Sequence, residues 1–246
     1  TNPSVQEQHS KKVKTQRSLS GFFSASKRHS SGDDTKSAAT RLKISNEDNT
    51  TEEISHQIFC DLDGVLVDFN AGVKELFNGR APEELPNQGM MWGGISKADR
   101  FYARLPWTPD GKALWEELKN LPTTPHILTG VPRSSKSRAE KFEWCKKELG
   151  ITVNHVDMAG KKSAHELVTG RRKNKSGVVN VITCWSKNKH CESKQNHILI
   201  DDRFSLGEAW EKRGGIFIHH TSTEGTISIL REKGILESRK NHENEE

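Results

Sequence analysis

Two carboxylates stand two positions apart in the segment Cys60-Asp61-Leu62-Asp63-Gly64-Val65, directly after the mostly apolar run His56–Cys60. A short apolar run reads as a buried strand. Gly64 lets the backbone turn sharply where that strand ends. Carboxylates at such a turn can point into one cleft and do different work. One can bind a metal ion and attack an electrophile; the other can exchange protons. A lone D-x-D could equally be a helix cap and a turn residue. The apolar run before the pair and the Gly-Val after it favour the chemical reading.

The elements that would position this pair follow from pattern. His126–Leu128, Val178–Thr183, His197–Ile200 and Ile216–His219 are further strand candidates. Val65–Phe77 carries apolar residues at helix spacing. Thr108-Pro109 starts a second helix, with Leu114, Leu118 and Leu121 on one face. Ser134 and Ser135 can cap a third, in which Ala139, Phe142 and Leu149 share a face and Gly150 ends it. Helices also fit 203–213 and 223–233. Strands alternating with helices predict an α/β chain with a parallel sheet covered on both faces. Ligands of such sheets sit beyond the carboxyl ends of the strands. Asp61, Thr129 and the pair Asp201-Asp202 all follow strand ends.

Asp61-Leu62-Asp63-Gly64-Val65-Leu66-Val67-Asp68-Phe69 resembles the first motif of the haloacid dehalogenase (HAD) superfamily. Ile127-Leu128-Thr129-Gly130, Cys184-Trp185-Ser186-Lys187-Asn188-Lys189-His190 and Ile198-Leu199-Ile200-Asp201-Asp202-Arg203 resemble the second, third and fourth, in the expected order. The resemblance spans about residues 56–235. It implies a HAD-like Rossmannoid three-layer sandwich with a small cap insertion at about 78–107. It implies a phosphohydrolase with Asp61 as nucleophile and Asp63 as general acid and base. Mg²⁺ would be held by Asp61, the Asp63 backbone carbonyl and an aspartate of the Asp201-Asp202 pair. Thr129, Gly130 and Lys189 would bind the transferred phosphoryl group. Lys187 competes with Lys189 for the lysine role; the spacing to Asp201 favours Lys189. Asp at position 63 is what the superfamily's phosphatases carry. The set I-L-T-G-V-P, C-x-S-x-x-K and L-I-D-D-R is similar to a branch near the 5′(3′)-deoxyribonucleotidases, which implies a nucleotide or a phosphorylated nucleic-acid end as substrate.

Trp92, Phe101, Tyr102 and Trp107 fall in the cap slot. They could stack on a base, but aromatics more often build a small core. Residues 160–177 include Arg171, Arg172 and Lys173 beside other basic residues, a possible contact to a phosphate backbone or a solvated loop. Cys184, His190, Cys191 and His197 match no standard zinc spacing. His219 and His220 end a strand.

The chain has 246 residues and only 32% hydrophobic ones, so part of it lies outside any core. Net charge is +5, and the excess sits at the front: residues 1–50 hold nine Lys or Arg against five Asp or Glu. Residues 1–54 lack hydrophobic periodicity and read as a disordered basic leader. The phosphohydrolase domain then occupies 55–236, and 237–246 is a polar tail. Four irregularly spaced cysteines argue for a reducing compartment. No run approaches the roughly 18 apolar residues of a membrane span, so no membrane partner is expected.

Within the leader, Gln16-Arg17-Ser18-Leu19-Ser20-Gly21-Phe22-Phe23 resembles the box that docks on the replication sliding clamp, proliferating cell nuclear antigen (the PIP box). One helical turn would gather Leu19, Phe22 and Phe23 into an apolar plug, with Gln16 reaching a polar pocket. Two adjacent Phe in a polar leader mark a docking site. The expectation is a clamp-tethered, Mg²⁺-dependent phosphomonoesterase in the nucleus. Two rivals are a soluble deoxynucleotidase with a mitochondrial or plastid targeting leader, or a cytoplasmic location, and a non-enzymatic clamp-binding adaptor.

Overall fold

The computed structural model describes residues 55–158 and 175–237; the leader residues Gln16, Leu19, Phe22 and Phe23, and the basic residues Arg171, Arg172 and Lys173, lie outside them. The described residues form an α/β fold with one six-stranded sheet. Its strands are β1 (Gln57–Cys60), β2 (His126–Gly130), β3 (Thr152–Asp157), β4 (Val178–Cys184), β5 (His197–Asp201) and β6 (Ile216–His219). Every pairing is parallel, in the order β3-β4-β2-β1-β5-β6. From β1 at the centre the described chain steps to β2, goes out to the edge at β3, returns to β4 between β3 and β2, and crosses back to β5. β1 lies at that reversal, and the crevice outside its carboxyl end is where such sheets bind ligands.

The pleat divides the core in two. Ile58, Cys60, Ile127, Val179, Val181, Ile198 and Ile200 point to one face. There they meet Val73 of α1 (Phe69–Leu76), Leu114, Trp115 and Leu118 of α3 (Gly111–Lys119), Trp144 and Cys145 of α4 (Ser135–Glu148), and Leu230 of α6 (Thr223–Glu232). Phe59, Leu128, Ile182 and Leu199 point to the other face, against Trp210 of α5 (Gly207–Glu211). A period of two in the strands thus feeds two layers. Among the described residues, no helix is long and apolar enough to cross a membrane.

Several elements differ from the sequence reading, each for a local reason. β3 was not expected. It is an edge strand of alternating polar residues, mostly half-buried, and so has no apolar run. The helix expected over Val65–Phe77 starts only at Phe69, where the Asp68 carboxylate accepts from the Ala71 N–H at 2.8 Å. Val65, Leu66 and Val67 instead turn their N–H groups onto the Leu62 carbonyl. Their apolar side chains fill the core from a tight turn, which mimics helical spacing. The insertion at 78–107 contains α2 (Gln88–Lys97) between two short 3₁₀ turns, Pro82–Glu84 and Tyr102–Arg104. Met91 and Ile95 of α2 are buried. The most consequential difference is in α4. Its buried residues are Ser137, Glu140, Lys141, Trp144 and Cys145, while Ala139 is exposed and Phe142 only half-buried.

Candidate active site

β1 delivers Asp61 to the crevice with its side chain almost fully buried. Its neighbour in the sheet is β5, with Cys60 opposite Ile200, so Asp61 and Asp201 emerge side by side. Residues 61–68 then fold into a compact flap. Thr108 ties it down through bonds to the Val65 and Leu66 carbonyls at 2.8 and 2.9 Å. Gly64 has a φ of +78°, and a Cβ there would collide with the Asp202 carboxylate. Glycine is required twice over: for the left-handed turn and for the approach of the flap to the β5 loop.

Lys189 lies between the two strand-end carboxylates, 2.8 Å from Asp61 Oδ2 and 2.6 Å from Asp201 Oδ2. It is buried, and so are both partners. Burial by itself would push the Lys189 ammonium toward neutrality, but the Asp61 and Asp201 charges outweigh that and raise its proton affinity. Burial would also raise Asp61; the Lys189 and Lys141 charges win and hold it ionised below its usual value. Lys187, the competing lysine, is exposed and lies over the Trp185 ring instead.

Lys141 was missed by the sequence reading. From the buried face of α4, its ammonium donates to Asp63 Oδ2 at 2.5 Å, Thr129 Oγ1 at 2.9 Å and the Gly130 carbonyl at 2.9 Å. One lysine thus joins the flap to the end of β2. A usable signal was Trp144, three residues on. A large aromatic in a polar helix marks the inward face, and Lys141 shares it at i, i+3 spacing. Glu140 also turns inward, accepting from the Tyr102 N–H at 3.1 Å and so fixing the insertion against α4.

Asp61, Asp201 and Asp202 each place a carboxylate oxygen within 4.8 Å of the others, the one cluster of metal-ligand type among the described residues. Asp202 is open to the cleft. Desolvation within the crevice, then the Asp61 and Asp201 charges, push it up to about 7. Three hard oxygen donors that repel one another fit a divalent cation of the Mg²⁺ kind. Cys184, His190, Cys191 and His197 form no comparable cluster. The His190 and His197 rings bond instead to the Lys187 and Glu192 carbonyls.

A cleft of about 750 Å³ opens over these groups. Asp61, Asp63, Gly130, Asp202 and Arg203 line it on the sheet side, and Phe69 of α1 with Trp92 and Tyr102 of the insertion line it opposite. Of the four aromatics expected near the site, Trp92 and Tyr102 reach the cleft. Phe101 packs edge-on against Phe69 and Tyr102, and Trp107 packs on Trp144 at 4.8 Å. Phe69 lines the cleft although the sequence reading did not single it out; its ring is 5.9 Å from that of Trp92. Such a crevice can hold an anion beside a buried ionised carboxylate, with a second carboxylate in reach and an apolar wall opposite. No family model and no curated protein matches the chain.

Proposed function

We propose that the chain is a Mg²⁺-dependent phosphomonoesterase of the HAD type, working through an aspartyl-phosphate on Asp61. One observation carries the reading. Asp61 is buried, yet Lys189 and Lys141 keep it ionised, beside two further carboxylates at the sheet's reversal point. A buried, ionised carboxylate is a competent nucleophile toward phosphorus. Asp61, Asp201 and Asp202 would hold the Mg²⁺, which when bound offsets charge on the phosphoryl oxygens.

The protein groups divide the remaining work. An Asp61 oxygen forms a bond to phosphorus as the bond from phosphorus to the leaving oxygen breaks. Asp63 gives that oxygen its proton. Asp63 then takes a proton from water, whose oxygen attacks phosphorus and releases Asp61 and inorganic phosphate. Lys141 and Lys189 stand ready-made around the site, which stabilises the negative charge of the transition state without rearrangement. An arriving phosphate competes with Asp63 for the Lys141 ammonium. The apolar wall of Phe69 and Trp92 suits a nucleobase, so the substrate is a nucleotide or a phosphorylated nucleic-acid end.

The leader extends the proposal. The Gln16, Leu19, Phe22 and Phe23 pattern supports docking on the sliding clamp, which would hold the enzyme near replicating DNA in the nucleus. Arg171, Arg172 and Lys173 supply charge suited to a phosphate backbone. The test is a phosphate-release screen over mononucleotides and 3′- or 5′-phosphorylated oligonucleotides, with Mg²⁺ and with chelator. Release that needs Mg²⁺ and is lost in Asp61→Asn is expected. No release from any of these substrates would overturn the reading.

A further inference from the structure

Two cations stand on the loops that border the cleft, and the phosphoryl site uses neither. β2 and β4 run side by side, with Gly130 opposite Cys184, and the loops that follow them leave together. The Val131 N–H donates to the Cys184 carbonyl at 2.9 Å, and a Cβ on Gly130 would overlap the Ser186 hydroxyl. Gly130, Val131, Pro132 and Ser186 from these loops line the cleft. The next residue in each loop is a cation. Arg133 lies 6.0 Å from the centre of the Trp185 ring, and Lys187 lies 5.8 Å from it.

Both cations are exposed, and neither has a carboxylate partner among the described residues. The two charges stand no more than about 12 Å apart across one indole. One cation over an indole is ordinary packing. A second on the same ring is more than packing requires. The Trp185 indole N–H is buried and also lacks an acceptor. The two loops therefore hold two exposed cations and, among the described residues, no carboxylate that pairs with either. An anion with several oxygens is their chemical complement.

We propose that Arg133 and Lys187 bind a second phosphate group on the substrate while the first sits at Asp61. This rests on the phosphomonoesterase reading and narrows it to substrates carrying two phosphate groups. The second group is either a monoester, as in a nucleoside 3′,5′-bisphosphate, or the phosphodiester next to a phosphorylated strand end.

Calorimetry on the full chain carrying Asp61→Asn, with Mg²⁺, tests this without turnover. The probes are a nucleoside 5′-monophosphate, the matching 3′,5′-bisphosphate and a 5′-phosphorylated dinucleotide. At least one doubly phosphorylated probe should bind about tenfold more tightly than the monophosphate. Which one does so identifies the second group. Arg133→Ala with Lys187→Ala should bring that ratio close to one, and Arg133→Lys should keep most of it. Equal affinity for all three probes, or a ratio unchanged in the double variant, would overturn the second subsite alone. Failure of every probe to bind, with no phosphate release by the wild-type protein, would sink the phosphomonoesterase reading as well.

Discussion

The Lys141 ammonium sits 2.5 Å from Asp63 Oδ2 and, at the same time, 2.9 Å from Thr129 Oγ1. It ties the proposed proton carrier, 78 residues earlier in the chain, to the proposed phosphoryl-binding hydroxyl 12 residues earlier. Lys141→Met keeps most of the volume and removes the charge. It should lower turnover by about a hundredfold or more, the usual cost of a preorganised donor. Folding should change little, since the Asp63 side chain is 31% exposed and can be solvated. Steady-state kinetics with thermal unfolding checks both halves. Turnover within a factor of about two of wild type would remove Lys141 from the machinery.

Asp61 and Lys189 should respond in opposite ways to removal. Two carboxylates share the Lys189 ammonium. Asp61→Asn leaves one carboxylate for that lysine and relieves the repulsion that helps to raise Asp201. Phosphate release should vanish while metal-free stability holds or rises. Lys189→Met leaves the Asp61, Asp201 and Asp202 carboxylates without their buried counter-charge. It should cost about 3–5 kcal/mol. Denaturant unfolding of the two variants side by side gives the comparison; equal losses would contradict this account of the triad.

A divalent cation should stabilise the fold, and more so at higher pH. Asp202 has its folded value raised from 3.8 to about 7. Between those values the folded protein holds more protons than the unfolded chain. Metal-free stability therefore falls as pH rises through that window. An ion bound among the three carboxylates reverses the penalty by stabilising the native state only. The rise in melting temperature on adding Mg²⁺ should grow from about pH 5.5 to about pH 8, and Asp202→Asn should flatten that growth. A melting temperature unmoved by Mg²⁺ at every pH would speak against the metal site.

Recruitment can be tested apart from catalysis. A peptide covering residues 11–28 should bind the sliding clamp by itself. Phe22→Ala with Phe23→Ala should abolish that binding, because burying each ring is worth about 1.5–3 kcal/mol and the leader has few other apolar groups. Phosphate release by the full-length double variant should match wild type. Calorimetry of the peptide against clamp decides the matter: absence of heat at high peptide concentration would return the leader to a targeting role.

The carboxylate pair and the strands beside it were legible because they are local. Asp61 follows an apolar run that is a strand wherever it is buried, and the same holds for the runs before Thr129 and Asp201. Apolar periodicity reports burial only where burial is apolar. It therefore passed over β3, a polar edge strand. It also turned α4 the wrong way, since that helix buries Glu140 and Lys141 beside Trp144. What makes those charges inward-facing is a set of partners outside the helix: the Tyr102 N–H, Asp63 and Thr129. Spacing to Asp201 favoured Lys189 over Lys187 already in the sequence, but what each ammonium touches needed the sheet. Two residues of a 3₁₀ turn separate a buried ammonium bonded to Asp61 and Asp201 from an exposed one lying over an indole. Residue type and order set the carboxylates at strand ends. The tertiary structure alone decided which cations meet them, because α4 with Lys141 and the 3₁₀ turn with Lys189 reach the carboxylates only when β1, β2, β4 and β5 lie side by side.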